Sequence, residues 1–383
     1  MKRYLFALFA LFACCAATSP AQPNPGPISV WNPAQIAVLR HWVAAAGEDA
    51  LPVPAVTELD HAVAGADKAT IDRAATALAL RLARMHLLGS VAPGERRGWH
   101  LVDSDTRIDL PARLAQALGA PEPDSAAALN RFFDGLRPED PEYAALRAAF
   151  ATEQDPARRA TLALNMERWR WLPVSLGRDH ILVNAARFEV GLWRQGKRVG
   201  VWPVVVGKPK SPTPAFQATV TGVTVNPWWD IPGNIVRESI GALMRRHPHL
   251  ARQRGYVRVG GRYRQGPGPA NSLGRMKLVM PNPFDIYLHD TPEQKLFDHD
   301  VRAFSHGCIR VKDALGFATM VLQGVKTREE VDAIVAGGQT TTIGLAQPIP
   351  VYVTYFTAST RDDGTLAIVP DIYGRDSDSV PKK

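Results

Sequence analysis

The stretch Phe304-Ser305-His306-Gly307-Cys308-Ile309-Arg310, preceded by Tyr287-Leu288-His289-Asp290, gathers a thiol, two imidazoles and a guanidinium in one short region of the chain. A cysteine attacks as its thiolate, and an unperturbed thiol pKa of about 8.5 leaves little thiolate at neutral pH. A neighbouring imidazole can take the proton as the thiol attacks. His306 and His289 are both candidates for that role. Gly307 allows a tight turn whose amides face a developing oxyanion. Arg310 can fork onto a carboxylate. The rival chemistry is a zinc site built from His289, His299, His306 and Cys308. His-Gly-Cys on one tight turn is poor ligand geometry for it, and His299 lies in the polar Asp298-His299-Asp300 stretch.

Such a site must sit on a folded frame, and the chain is long enough to provide one. Its 383 residues suggest two or three domains, and 46% hydrophobic with 21% charged residues is ordinary globular composition. That excludes a disordered, collagenous or coiled-coil protein. The net charge of +8 calls for an acidic partner. No nucleic-acid motif is present, and export argues against nucleic acid. A non-catalytic wall-binding protein is a further rival, but it would not need a nucleophile, a base and an oxyanion glycine together.

The N-terminus carries the export reading. Lys2 and Arg3 precede an apolar run from Leu5 to Ala17, and Ser19-Pro20-Ala21 offers small residues for cleavage. The run is short of the ~18–20 residues that span a bilayer. Lipidation at Cys14 is the alternative, with bulky Phe12 a poor fit. Cleavage removes Cys14 and Cys15, leaving Cys308 as the one thiol of an exported protein. An unpaired cysteine in that setting is a reactive thiol, an intermolecular link or an inert buried residue.

The frame is α+β. Residues 1–21 form the signal, and 22–172 an all-helical scaffold with five or six helices. Asn32-Pro33, Asp140-Pro141 and Asp155-Pro156 mark helix starts there, with Asn or Asp as N-cap and Pro at the first position. After Pro173 short β-branched and aromatic runs appear, such as Ile181–Val183, Phe216–Val225 and Val351–Phe356. Residues 173–360 are thus a mostly β domain, and 361–383 a C-terminal tail. Two helices interrupt the strands, one over 313–323 and one opening at Thr327-Arg328-Glu329-Glu330, a capping box. Residues 231–268 form an insertion between turn-rich hinges, with eight arginines between Arg237 and Arg264 and one acid, Glu238. It is expected to be a cap or flap facing the substrate.

Ser305-His306-Gly307-Cys308 with Arg310, and His289 before Ser305 at the matching spacing, closely resembles the signature of the YkuD-type L,D-transpeptidase family. Asn165 to Pro173 resembles the lead-in to the catalytic domain of the larger proteobacterial members, and Asn226 to Pro232 the entry to their capping subdomain. Those members carry a peptidoglycan-binding domain in the helical half, for which the stretch Ala151 to Thr161 leaves no room. The resemblance implies Cys308 as nucleophile, His289 as general base and then acid, and His306 with Gly307 in the oxyanion loop. It implies Arg310, Ser305, Tyr287 and Asn271 along the substrate groove. It implies peptidoglycan stem peptides as donor and acceptor, no cofactor, no metal, a monomer, and a periplasmic location in a Gram-negative bacterium. The acyl-enzyme could be resolved by a second stem to give a 3→3 cross-link, by water, by a D-amino acid or by a lipoprotein lysine. Cross-linking is the favoured outcome.

Overall fold

The computed structural model describes residues 31–361 and 363–376. The signal-peptide reading, with Lys2, Arg3, Cys14 and Cys15, lies outside these residues. Among them no helix is long and apolar enough to cross a membrane.

The first half is helical: α1 (Pro33–Ala45), α2 (Thr57–Gly65), α3 (Lys68–Leu88), α4 (Leu110–Leu118), α5 (Ser125–Asp134), α6 (Pro141–Thr152) and α7 (Pro156–Arg170). The capping signals work as the sequence suggests. Asn32 accepts from the Gln35 amide, Asp140 from Glu142 and Asp155 from Arg158, each with Pro in the first turn. The expected five or six helices become seven among the described residues. The extra ones are short, because Asp109 with Pro111 starts a new helix only a few residues before Gly119 ends it. Only residues 153–155 separate α6 from α7.

The second half is a nine-stranded sheet ordered β10-β3-β11-β9-β8-β4-β12-β1-β2. Its strands are β1 (His180–Asn184), β2 (Glu189–Arg194), β3 (Lys197–Gly207), β4 (Phe216–Val225), β8 (Met276–Val279), β9 (Leu288–His289), β10 (Ala303–Ser305), β11 (Ile309–Val311) and β12 (Thr341–Thr354). Because β2 also pairs with β3, the sheet curls back on itself around a core that includes Val190, Val206, Phe216, Leu278, Ile309 and Val351. β12 is longer than the expected Val351–Phe356 run. It continues through Pro348 and Pro350 with a register shift between Gly344 and Ile349. A bulge tolerates the missing amides. The helices α11 (Ala314–Val321) and α12 (Arg328–Gly337) pack on this domain, α12 with its capping box intact.

Between β4 and β8 the chain leaves the sheet to form a cap. Three strands, β5 (Trp229–Asp230), β6 (Tyr256–Val259) and β7 (Arg262–Gln265), are ordered β5-β7-β6. Helix α8 (Gly233–Ile235) runs through a π-type turn (Val236–Ile240) into α9 (Gly241–Arg246), followed by α10 (Pro248–Gln253). Trp229, Ile231, Ile240, Ala251, Tyr256 and Leu273 give the cap its own small core.

The stretch Asn165 to Pro173 is the seam between the halves. Asn165 donates to Thr357 Oγ1 at 3.0 Å and accepts from the Thr357 amide at 2.9 Å. Arg168 pairs with Asp376 at 2.9 Å and donates to the Arg375 carbonyl at 3.1 Å. Glu167 accepts from the amides of Ser90 and Val91 at 2.6 and 2.8 Å. Buried charges require such partners. Residues beyond Thr360, expected as a tail, fold back as far as they are described. β13 (Ala358–Thr360) pairs with β14 (Leu366–Ile368), Tyr373 donates to the Gly207 carbonyl at 2.6 Å, and Arg375 donates to the Thr213 carbonyl at 2.9 Å. The burial of Arg168 at the seam explains this: its guanidinium needs the acid that Asp376 supplies.

Candidate active site

Cys308 sits between β10 and β11 on a turn that its neighbours hold shut. Ser305 Oγ donates to the Cys308 carbonyl at 2.6 Å and accepts from the Gly307 amide at 3.0 Å. Gly307 has φ +121°, a conformation that favours glycine. Thr213 Oγ1 donates to the Gly307 carbonyl at 2.8 Å and accepts from the Gly207 amide at 2.9 Å. The Lys208 amide donates to the Ser305 carbonyl at 2.9 Å. The turn thus rests on the 207–213 loop. Ser305 lines the groove, where the sequence placed it, but is largely buried and spends its hydroxyl on this turn. The Gly307 amide is likewise consumed by Ser305. The amides of His306 and Cys308 make no such bond among the described residues.

The parallel register of β9 and β11 sets His289 beside Arg310, two residues along from the thiol. Ile309 lies opposite Leu288 and Arg310 opposite His289, and the Ile309 amide donates to the Tyr287 carbonyl at 3.1 Å. Cys308, half-buried, points its thiol at the Asp285 carbonyl 3.8 Å away. Burial pushes its pKa up, against a smaller pull from the Tyr287 backbone and Arg310. His289 is buried, and Nδ1 lies 2.5 Å from the Asp290 carbonyl. That contact places a proton on Nδ1. Burial, reinforced by the Arg310 charge, lowers the His289 pKa to about 3, while the carbonyls of Asp290 and Leu273 favour the protonated ring. Both shifts favour thiol and neutral imidazole over thiolate and imidazolium.

Both residues line a groove of about 490 Å³ beneath the cap, with Tyr287, His306, Gly307 and Arg310. Arg310 is tethered to Glu293 at 2.7 Å. Tyr287 has its phenol pKa raised by burial and by Cys308. His306 Nε2 reaches Glu238 at 2.8 Å across to the cap. Asn271 is different. It is fully buried outside the groove lining, and its amide donates to the carbonyls of Pro227 at 3.0 Å, Gln265 at 3.4 Å and Gly266 at 2.8 Å. A side chain with so many backbone partners staples the root of the cap, so the expected groove contact is corrected to a hinge role.

The cap also departs from expectation. Trp229, Ile235, Ile240 and Tyr256 face the groove, and no cap arginine lines it. Arg237, Arg245, Arg246, Arg252, Arg258 and Arg262 are exposed. The apolar side of the cap is spent on its core and the groove, which leaves the arginines for solvent. The zinc reading finds no support in the geometry: His299 packs on Phe304 at 5.2 Å and does not line the groove. Among the described residues, no three His, Cys, Asp or Glu side chains converge as a metal site. Sequence reasoning missed Glu238, Lys208, Thr213 and Asp285. Glu238 alone left a visible trace, as the single acid among the arginines.

A capped groove that joins a thiol, a neutral imidazole and an arginine on a curled β-sheet defines a cysteine–histidine site carried by a two-part chain. Residues 178–335 match the family model of the L,D-transpeptidase (YkuD) catalytic domain, and residues 27–150 that of a Scaffold domain. Two successive stretches of the chain thus resemble a scaffold domain and an L,D-transpeptidase catalytic domain. A putative L,D-transpeptidase of Haemophilus influenzae is 29% identical over 237 residues, covering 56% of this chain and 48% of the relative. The chain spans about half the length of that relative. Among solved structures, the catalytic domain of an Enterococcus faecium L,D-transpeptidase acylated by ertapenem matches at 16% identity and TM-score 0.27, covering 46% of this chain and 97% of that one. L,D-transpeptidase 3 of Mycobacterium tuberculosis matches at 15% and 0.25, covering 46% and 61%.

Proposed function

We propose that the protein is a peptidoglycan L,D-transpeptidase that forms 3→3 cross-links through a thioester on Cys308. As the Cys308 sulfur attacks the carbonyl before the terminal D-Ala of a tetrapeptide stem, its proton passes to His289. The C–N bond breaks, D-Ala leaves with that proton, and the acyl group stays on sulfur. The side-chain amine of a second stem then attacks, loses its proton to His289 and releases the thiol. The carbonyls of Asp290 and Leu273 suit this role, since both favour the protonated ring that forms when the thiol gives up its proton. The Cys308 amide is the oxyanion donor; one such donor is typically worth ~10²–10³ in rate. His306 and Gly307 keep that loop in place, and Arg310 and Tyr287 line the path of the stem, Arg310 toward its carboxylate. The observation that carries the reading is the half-buried thiol sharing a capped groove with a buried imidazole hydrogen-bonded at Nδ1.

Incubation with purified disaccharide-tetrapeptide, read by mass spectrometry, tests it. Dimers lacking one D-Ala are expected from the wild type, with no product from Cys308→Ala and a covalent carbapenem adduct on the Cys308 peptide. Tripeptide alone would make the enzyme a hydrolase. No wild-type product, or equal product from Cys308→Ala, would sink the proposal. Export to the periplasm and action as a monomer on wall stems belong to the same reading. The outward arginines suit the carboxylates of neighbouring stems more than those of the stem held at Cys308.

A further inference from the structure

The cap is fastened at two places, and only one is structural in the ordinary sense. At its root Asn271 ties the incoming strand at Pro227 to the outgoing strand at Gln265 and Gly266. At its far end, the π-type turn over Val236–Ile240 brings Glu238 down onto the turn that carries Cys308. Glu238 Oε2 lies 2.8 Å from His306 Nε2, and Glu238 Oε1 lies 3.6 Å from Lys208 Nζ. Lys208 Nζ is also 3.2 Å from His306 Nε2.

The charge pattern gives this contact its meaning. Glu238 is the only acid between Arg237 and Arg264, yet among the described residues its carboxylate pairs with His306 and Lys208 rather than with a cap arginine. It goes instead to a lysine and a histidine of the catalytic domain. That His306–Lys208 partnership holds the carboxyl below its usual range. Both partners sit on the frame of the nucleophile: His306 is two residues from Cys308, and the Lys208 amide donates to the Ser305 carbonyl at 2.9 Å. Ser239 and Ile235, flanking Glu238, line the groove. A lid anchored at its root and tied at its tip opens only when the tip lets go. Exposed ion pairs add little to global stability, so their loss shifts a local equilibrium rather than unfolding the domain.

We propose that Glu238 is a positioning residue: it ties the tip of the cap to the Cys308 turn through His306, with Lys208 as its counter-ion. The groove is closed while the tie holds and open to stems when it breaks. This rests on reading Cys308 as the nucleophile, and it adds the device that governs access to it.

The full chain serves for the test, with Glu238→Gln, Glu238→Ala and the conservative Glu238→Asp. Hydrogen exchange should rise about three- to tenfold in peptides covering 233–246 of the Gln and Ala variants, with 265–274 unchanged. Iodoacetamide alkylation of the Cys308 peptide should quicken by a similar factor, because the probe is small and needs only access. KM for the tetrapeptide should fall with little change in kcat, since stems no longer have to break the tie to enter, and Glu238→Asp should recover most of each effect. Unchanged exchange and alkylation would overturn the tie, and so would equal loosening at 265–274 or a clear drop in melting temperature. Should exchange and alkylation change as expected while even wild type ignores the tetrapeptide, the tie stands and the transpeptidase reading falls.

Discussion

His86 and His289 lie in different halves of the chain and are pushed to the same state by the same force. Burial lowers the pKa of each to about 3. Their surroundings differ in what they offer the ring. Neither nitrogen of His86 has a hydrogen-bond partner, and its ring stands edge-on to Trp42 at 5.5 Å. It is an apolar filler of the scaffold core, held neutral also by the charges of Arg170, Arg137 and Arg147 against the pull of Asp49. His289 has the Asp290 carbonyl on Nδ1 and a groove on its other side. A depressed histidine pKa therefore says little about chemistry. What separates the two is a hydrogen-bonded Nδ1 and a place along the groove that Cys308 also lines.

The largest expected effect separates them by activity. His289→Asn should lower kcat/KM for tetrapeptide, and the rate of carbapenem acylation, by about 10²–10⁴-fold at pH 7. His86→Leu should leave both within about twofold. Stopped-flow acylation with mass spectrometry of the adduct measures each. If His289→Asn retains full acylation, the base lies elsewhere and the two histidines become equivalent fillers.

The state of the thiol gives a second separation. With Cys308 raised by burial and His289 neutral, alkylation of Cys308 should climb about tenfold per pH unit from pH 7 to 9, as the thiolate fraction does below its pKa. A stable thiolate–imidazolium pair would instead give a flat profile down to about pH 5. A flat profile would mean that the carbonyls of Asp290 and Leu273 outweigh burial.

The contrast also explains how far the sequence could be read. His289 stood apart from His306 only through the family resemblance, whereas the grouping of Cys308 with Gly307 was legible from residue type and local spacing. The helix starts at Asn32, Asp140 and Asp155 were legible for the same reason, since an N-cap bonds within its own first turn. Residues whose partners are far along the chain were not. Asn271 looks like a groove polar residue until its bonds to Pro227 and Gly266 are seen. The segment after Thr360 looks like a tail until Arg168 is found to need Asp376. The cap's arginines suggested a substrate-facing surface because composition reports charge and not direction. His86 carried no signal, because a lone histidine at a core position of α3 reads like any other helical residue.

The smallest expected effect concerns acid stability, where the two histidines should behave alike. An unfolded histidine takes a proton near pH 6.5, while these remain neutral in the folded chain down to about 3. As pH falls below 6.5 the unfolded state binds protons that the folded state refuses, so stability falls, by about 1.4 kcal/mol per unit for each group. At pH 5 the accumulated loss is about 2 kcal/mol per histidine. Glu142 opposes the trend: burial raises its pKa to about 8, so its contribution falls as pH rises from about 4.5. A difference between wild type and variant cancels that background. His86→Leu removes no hydrogen bond, so urea melts at pH 7 should change little. At pH 5 the variant should gain about 2 kcal/mol relative to its pH 7 difference. His289→Asn should show a similar gain while losing activity. Parallel wild-type and His86→Leu curves between pH 5 and 7 would mean that His86 reaches water or a partner on protonation. The scaffold histidine would then be the more polar of the two, and the contrast with His289 would have to be redrawn.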